Sequence, residues 1–145
     1  MKVFLDTSVL VAAVLEEHEA HERSLAVLDR VQSKRDEGYL SGHGLAEVYS
    51  VLTRLPPPSR HTPEQALVSI EENFINNFHV AGLTGGEYGA LIRDAALRGI
   101  SGGTIYDAVL LRTAELARVD RIYTWNLKHF QAVAQPATAA LLRTP

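Results

Sequence analysis

The chain has 145 residues, no cysteine and a formal net charge of −3. A chain of this length buries about two-thirds of its unfolded surface, so we expect one domain with a core that needs no disulfide. This domain is expected to span residues 1–145. The absence of cysteine excludes disulfides and thiolate metal sites. The mildly acidic balance gives no global basic field for nucleic acid, although an enzyme with an acidic active site needs only local cations.

The N-terminal segment carries one lysine and a short apolar run that ends at an acidic residue. This pattern is neither a secretory signal nor a membrane span. We therefore expect a cytoplasmic protein that makes no membrane contact.

Short apolar runs alternate with helix-start signals along the chain. Strands are predicted at 3–5, 39–41, 78–81 and 121–124, and helices at 8–16, 19–36, 42–55, 62–76, 84–99, 104–118, 127–130 and 137–142. Thr62-Pro63-Glu64-Gln65 and Thr84-Gly85-Gly86-Glu87 each place Gln or Glu three residues after a capping threonine, which is a strong helix start. Strands separated by helices predict an α/β fold with a mostly parallel sheet between helical layers.

The first strand ends abruptly at a carboxylate, in the sequence Val3-Phe4-Leu5-Asp6-Thr7-Ser8. Ligands of open α/β sheets bind just beyond the carboxyl ends of the strands, where Asp6 is expected to lie. The structural alternative is that Asp6 helps to cap the following helix. This stretch alone leaves both interpretations open.

Two further acids lie within predicted helices. Glu47 is on the side opposite the apolar stripe of its helix, and its position alone fits an ordinary solvated glutamate. Asp107 lies on a helix that is apolar almost all round and is expected to be central, with Arg112 paired to an acid. The spacing Thr104-x-x-Asp107 also fits a capping box, so a structural and a functional role are both open.

Four short motifs follow one another in a fixed order. They are Val3-Phe4-Leu5-Asp6-Thr7-Ser8, Leu45-Ala46-Glu47-Val48, Tyr106-Asp107-Ala108-Val109-Leu110 and Ile122-Tyr123-Thr124-Trp125-Asn126-Leu127-Lys128-His129-Phe130. In a chain of this length the set resembles a PIN domain, and it is most similar to the VapC-type ribonuclease toxins of type II toxin–antitoxin pairs. The resemblance spans nearly the whole chain. It implies a PIN-like three-layer α/β/α domain with a central, mostly parallel sheet flanked by helices.

The resemblance implies a metal-dependent endoribonuclease that hydrolyses RNA phosphodiester bonds. Asp6, Glu47 and Asp107 match the family's three core acids, which hold Mg²⁺ or Mn²⁺. It also implies an RNA substrate, such as tRNA or another structured RNA. An antitoxin protein is the implied partner, and a homodimer is the implied assembly. Apolar residues at Leu52, Leu55, Ile75 and Phe78 are candidates for a groove that a partner fills.

Accessory positions match in part. Thr7 or Ser8 corresponds to the small hydroxyl residue after the first acid, and Thr124 to the hydroxyl at the end of the last strand. Asn126 and His129 stand where many relatives carry further acids. This departure is compatible with a first metal site and weakens the expectation of a second one.

A cluster of three acids makes physical sense around a cation. Two carboxylates ~4 Å apart repel by about 1 kcal/mol in water, and by several times that at an effective dielectric near 20. Mg²⁺ prefers oxygen ligands and keeps several waters, one of which can become the nucleophile. No serine or histidine nucleophile is then required.

Three residues that follow the last strand are candidates for contacts with RNA at the rim of the site. Trp125 either stacks on a base or packs over a helix, and Lys128 and His129 are candidate phosphate contacts. The pair His18 and His21 is one residue short of the zinc motif His-Glu-x-x-His.

Other chemistries have less support. A haloacid-dehalogenase-type phosphatase needs a second Asp where Ser8 stands, and neither GxGxxG nor GxxxxGK[ST] occurs. The main rival is a catalytically weak or inactive PIN-like module that binds protein or RNA.

Overall fold

The computed structural model describes residues 1–145, which form one sheet of five parallel strands with helices against both faces. The strands are β1 Lys2–Leu5, β2 Glu37–Ser41, β3 Phe78–Ala81, β4 Arg121–Tyr123 and β5 Leu142–Arg143, in the order β3-β2-β1-β4-β5. The helices are α1 Thr7–Val14, α2 His21–Gln32, α3 Gly42–Arg54, α4 Pro63–Ile70, α5 Gly85–Leu97, α6 Thr104–Leu116, α7 Leu127–Val133 and α8 Pro136–Ala139. The predicted α/β fold is confirmed.

Alternation along the central strand β1 produces two cores. Val3 and Leu5 point to one face of the sheet and pack with residues of α1 to α4, while Phe4 points to the other face and packs with α6 and α7. Burial on both faces explains why β1 is a continuous apolar run rather than an alternating one. None of the helices is long and apolar enough to cross a membrane.

The boundary between α2 and β2 differs from the prediction. α2 ends at Gln32, and the left-handed turn at Lys34 (φ 59°) lets β2 begin at Glu37. Gly38 therefore lies within a strand and does not end a helix. A Cβ on Gly38 would lie 2.5 Å from Val31 and 2.6 Å from Phe78, so a glycine is needed for this close helix–strand approach.

Two other helices differ from the prediction near their ends. The chain predicted as a helix at 62–76 is helical to Ile75, but its last part, Glu71–Ile75, is π-helical. The helix predicted at 137–142 stops at Ala139, and Leu142–Arg143 pairs with β4 as an edge strand. The capping boxes at Thr62 and Thr84 are both present as predicted.

Helix α6 packs against β2, α5 and α7, and the full turn from Ala108 to Leu111 is buried. Its first and later turns reach the surface, where Tyr106 is 53% exposed and Arg112 pairs at 3.1 Å with Glu115 rather than with an acid of the site. Gly103 is the N-cap residue, and no side chain caps the helix, so the predicted Thr104–Asp107 capping box does not form.

The predicted partner groove does not form as expected. Leu52 and Phe78 belong to the core, at 0% and 7% exposure, and Leu55 packs against it. Ile75 is the exposed member of the set.

Candidate active site

All five strands run in the same direction, so their carboxyl ends meet at one edge of the sheet. Asp6 directly follows β1 at this edge, and its backbone N–H donates to the carbonyl of Tyr123 at the end of β4 (3.0 Å). Helices α1 and α3 begin at the same edge, and Asp6 and Ser41 are their N-cap residues. The edge is therefore the place where a ligand of this fold is expected.

Asp6 is almost completely buried. Its Oδ2 accepts hydrogen bonds from Ser8 Oγ (2.7 Å) and Thr124 Oγ1 (2.8 Å), and a longer one from the Ser8 N–H (3.4 Å). Burial nevertheless raises the pKa of this carboxyl, because desolvation outweighs the hydrogen bonds. The capping role left open by the sequence is real, but it uses Oδ2 alone. Oδ1 takes no part in these bonds.

Ser8 and Thr124 do more than contact Asp6. Ser8 Oγ also accepts the backbone N–H of Trp125 (3.0 Å), and Thr124 Oγ1 accepts that of Asn126 (3.0 Å). Each hydroxyl therefore ties the loop after β4 to the carboxylate. This network holds Asp6 in one orientation.

The three acids line one cleft of about 360 Å³, together with Asn126 and His18. The pKa of Asp107 is raised first by burial, and then by the negative charges of Asp6 and Glu47. The nearby His129 lowers it. The pKa of Asp107 therefore responds to the charges of the other two acids.

The cluster is not closed into a coordination sphere. Glu47 Oε1 accepts a hydrogen bond from His43 Nε2 at 2.7 Å, and no three acidic or histidine side chains converge at ligand distance. The donor set consists of carboxylate oxygens, which suits a hard divalent cation, and Asp6 Oδ1 is free of side-chain hydrogen bonds. The residues present fit such a cation in charge and chemistry.

Thr7 also lines the cleft. Its Oγ1 is the one buried side-chain polar atom without a hydrogen-bond partner. Such an orphaned hydroxyl costs free energy, because the group has lost water and gained no partner.

Replacing Thr7 with valine is expected to raise the free energy of unfolding of the metal-free protein by about 1 kcal/mol, because the unpaired hydroxyl disappears while the shape is kept. Urea unfolding measures the change. The matched control is Thr113→Val, since Thr113 is equally buried but its hydroxyl donates to the Val109 carbonyl at 2.8 Å. That variant should lose about 1 kcal/mol. Equal losses in both variants would contradict this account of Thr7.

The raised pKa values of Asp6 and Asp107 predict a pH dependence of stability without metal. The folded state holds protons that the unfolded state releases above its pKa, near the ordinary value of 3.8. The contribution of these two carboxyls to stability is therefore fully present below that pH and is lost as the pH rises through their folded-state pKa values. A D6N/D107N variant has neither carboxyl, so its unfolding free energy does not fall for this reason as the pH rises. In EDTA, its advantage over the wild type in unfolding free energy should widen with rising pH.

Asp36 has the opposite pH dependence, which is why the prediction concerns the difference between the two proteins. The Arg30 guanidinium lowers the pKa of Asp36, so its contribution is lost as the pH falls. This opposite effect is the same in both proteins and cancels in the difference. Curves of unfolding free energy that stay parallel from acid to neutral pH would overturn the prediction.

The rim candidates are placed differently. Trp125 Nε1 donates to Ser24 Oγ (2.8 Å), and the Arg23 guanidinium lies 4.8 Å from the ring centroid. Trp125 also lines the cleft of the three acids, so its stacking on a base stays a prediction. Lys128 and His129 are exposed on α7. Their contact with phosphate stays a prediction.

The two candidate zinc histidines have separate partners. His18 Nδ1 accepts the Ala20 N–H (3.1 Å), and His21 Nδ1 lies 2.9 Å from the Ala12 carbonyl. Sequence reasoning did miss two other side chains beside the acids, His43 and Tyr106. The only local signal was the i, i+4 spacing of His43 and Glu47.

Comparison with known proteins is consistent with this geometry. Residues 3–135 match the PIN domain family. The chain is 37% identical over 112 residues to Ribonuclease VapC40 of Mycobacterium tuberculosis (strain H37Rv), a match that covers 77% of this chain and 78% of that protein.

Two solved structures have a similar fold at low identity. The crystal structure of Mycobacterium tuberculosis VapC20, a Sarcin-Ricin loop cleaving toxin, aligns with a TM-score of 0.68 at 16% identity, covering 92% of this chain and 99% of that one. VapBC2 from Rickettsia felis, bound to a DNA fragment from its promoter, aligns with a TM-score of 0.67 at 19% identity, covering 100% and 99%. These two likenesses show the fold.

Proposed function

The chain belongs to the PIN domain family, and from this premise we propose that it is a divalent-metal-dependent endoribonuclease, the toxin of a type II toxin–antitoxin pair. The observation that carries the proposal is the shared cleft of Asp6, Glu47 and Asp107 at the carboxyl edge of the sheet. The relative VapC40 is a ribonuclease by name, and VapC20 is described as cleaving the Sarcin-Ricin loop. Both support RNA as the substrate class.

Asp6, Glu47 and Asp107 are the proposed metal ligands and catalytic residues. A bound Mg²⁺ or Mn²⁺ supplies an activated water and stabilises negative charge on the phosphoryl group. Ser8 and Thr124 fix the orientation of Asp6 through their hydrogen bonds to Oδ2. The apolar lining of the cleft, by Val11, Val51, Leu110 and Phe130, lowers the local dielectric and strengthens these electrostatic interactions.

Mg²⁺ is the proposed cofactor, with Mn²⁺ as the alternative. Both accept oxygen ligands in octahedral geometry, and Mg²⁺ keeps waters that a nuclease needs. Asn126 lines the cleft with a neutral oxygen donor where many relatives carry an acid. We therefore expect one tightly held ion rather than two.

An antitoxin protein is the proposed regulator, and a homodimer is the proposed assembly. The similar structure VapBC2 supports the first, through its name and its bound promoter DNA. Exposed apolar side chains offer surface for such contacts, among them Leu67 and Val68 on α4 and Ile92 and Leu97 on α5. Residues 1–145 are taken as one domain.

Cleavage of a mixed RNA pool that includes tRNA tests the proposal. Purified protein is incubated with Mg²⁺, Mn²⁺ or EDTA, and the products are resolved and their ends sequenced. Discrete cuts with metal and none in EDTA are expected. Intact RNA in every lane, from protein shown to be folded and free of antitoxin, would contradict the nuclease and favour a PIN-like binding module.

A further inference from the structure

We propose that the stacked rings of His43 and Tyr106 form a platform for one base of the RNA beside the bond that is cut. This inference rests on the proposed ribonuclease function and adds a substrate subsite to it. The rings belong to the first turns of α3 and α6, with centroids 5.2 Å apart and planes only 7° from parallel. The stack joins two helices that each carry one of the acids.

The position of the stack relative to the acids is fixed on both sides. His43 Nε2 is 2.7 Å from Glu47 Oε1, one helical turn further along α3. Tyr106 directly precedes Asp107 in α6. Neither ring lines the cleft itself, so a base on this platform belongs to a nucleotide just outside the cleft, next to Glu47.

The Tyr106 ring has surface left for a ligand. Tyr106 is 53% exposed although its ring stacks on His43, so the residue keeps accessible surface beyond this contact. The hydrogen bond to Glu47 holds the imidazole in place, which orients the phenol ring before any ligand arrives. An aromatic face that is held in position in this way loses little conformational entropy on binding.

Base stacking is the interaction this surface suits. Stacking of a base on an aromatic side chain contributes about 1–3 kcal/mol and tolerates any base, because every base has a π face. Unstacked bases are available in RNA loops, which proteins recognise in this way. Trp125, the residue first considered for stacking, has its N–H bound to Ser24 and Arg23 over its ring.

The test measures RNA binding rather than cleavage. A fluorescently labelled single-stranded RNA that carries the cleavage site is titrated with D6N protein in Mg²⁺, and anisotropy gives the Kd. Adding Tyr106→Ala is expected to raise the Kd by about 5- to 150-fold, which corresponds to 1–3 kcal/mol. Tyr106→Phe keeps the ring and should bind like the parent.

Two controls separate stacking from other effects. Tyr88→Ala removes another exposed tyrosine, 39% exposed on α5, and should leave the Kd unchanged. An RNA with one abasic nucleotide, moved along the site, should at one position bind the parent as weakly as intact RNA binds the Y106A protein. At that position Y106A should cost nothing further.

The outcomes distinguish the two proposals. If the D6N protein binds RNA and Y106A binds it equally well, the platform is wrong and the nuclease stands. The platform is also wrong if Y106A weakens only the binding of an antitoxin. If the wild type neither cuts nor binds RNA, both proposals fail together.

Discussion

The substitution Asp6→Asn is expected to reduce the rate of RNA cleavage by roughly a thousandfold while the protein stays folded. A metal ion contributes several kcal/mol to stabilising charge in the transition state, and each 1.36 kcal/mol is about tenfold in rate. Asp6 is the most buried of the three acids. Ser8 and Thr124 donate to its Oδ2, so Oδ1 is the atom that would bind the proposed cation. The measurement is the single-turnover rate on a labelled RNA at saturating protein.

The structure also predicts what D6N leaves intact. An amide oxygen can accept the hydrogen bonds that Ser8 and Thr124 donate to Oδ2, and the cost of burying a charge disappears. The melting temperature in EDTA should therefore equal or exceed that of the wild type. Asp94→Asn is the matched control, because Asp94 is an exposed carboxylate paired with Arg98 on α5. Wild-type cleavage by D6N, or equal loss in both variants, would refute the assignment.

Millimolar Mg²⁺ or Mn²⁺ is expected to raise the melting temperature of the wild type. A ligand at 100 times its Kd stabilises the folded state by about 2.7 kcal/mol, which is about 5–10 °C for a domain of this size. The physical reason is the burial and the mutual repulsion of the acids, which together raise the pKa of Asp107 and which a bound cation would offset. Differential scanning fluorimetry with and without EDTA measures the shift.

The specificity of this shift decides its meaning. D6N and D107N should lose most of it, and Asp94→Asn should keep it all. An undiminished shift in D6N would place the cation elsewhere on the protein.

Much of the fold is encoded in local sequence. Apolar runs and capping boxes predicted most helices and four of the five strands. Thr62 and Thr84, for example, make the predicted reciprocal hydrogen bonds with Gln65 and Glu87. The strand at Leu142–Arg143 escaped because two residues carry no periodicity, and only pairing with β4 defines it. Helix α6, which is apolar almost all round, packs against β2, α5 and α7.

The candidate site is likewise only partly predictable from local sequence. Asp6 could be predicted from a strand that ends at a carboxylate, and its network with Ser8 and Thr124 follows from their places beside it and after β4. Glu47 has no local signal, and only the ordered set of motifs indicated it. The contact of Glu47 with His43 and the stacking of His43 on Tyr106 depend on how α3 and α6 approach one another, which one sequence does not reveal.

We propose that the cleft at the carboxyl edge of the sheet holds a divalent cation on Asp6, Glu47 and Asp107. An anomalous difference map from crystals of the protein grown with Mn²⁺ tests this proposal. A peak is expected within ligand distance of Asp6 Oδ1 and a carboxylate oxygen of Asp107, with Glu47 reaching it directly or through water. A map with no peak in the cleft at saturating Mn²⁺, or with a peak only at other sites, would contradict it.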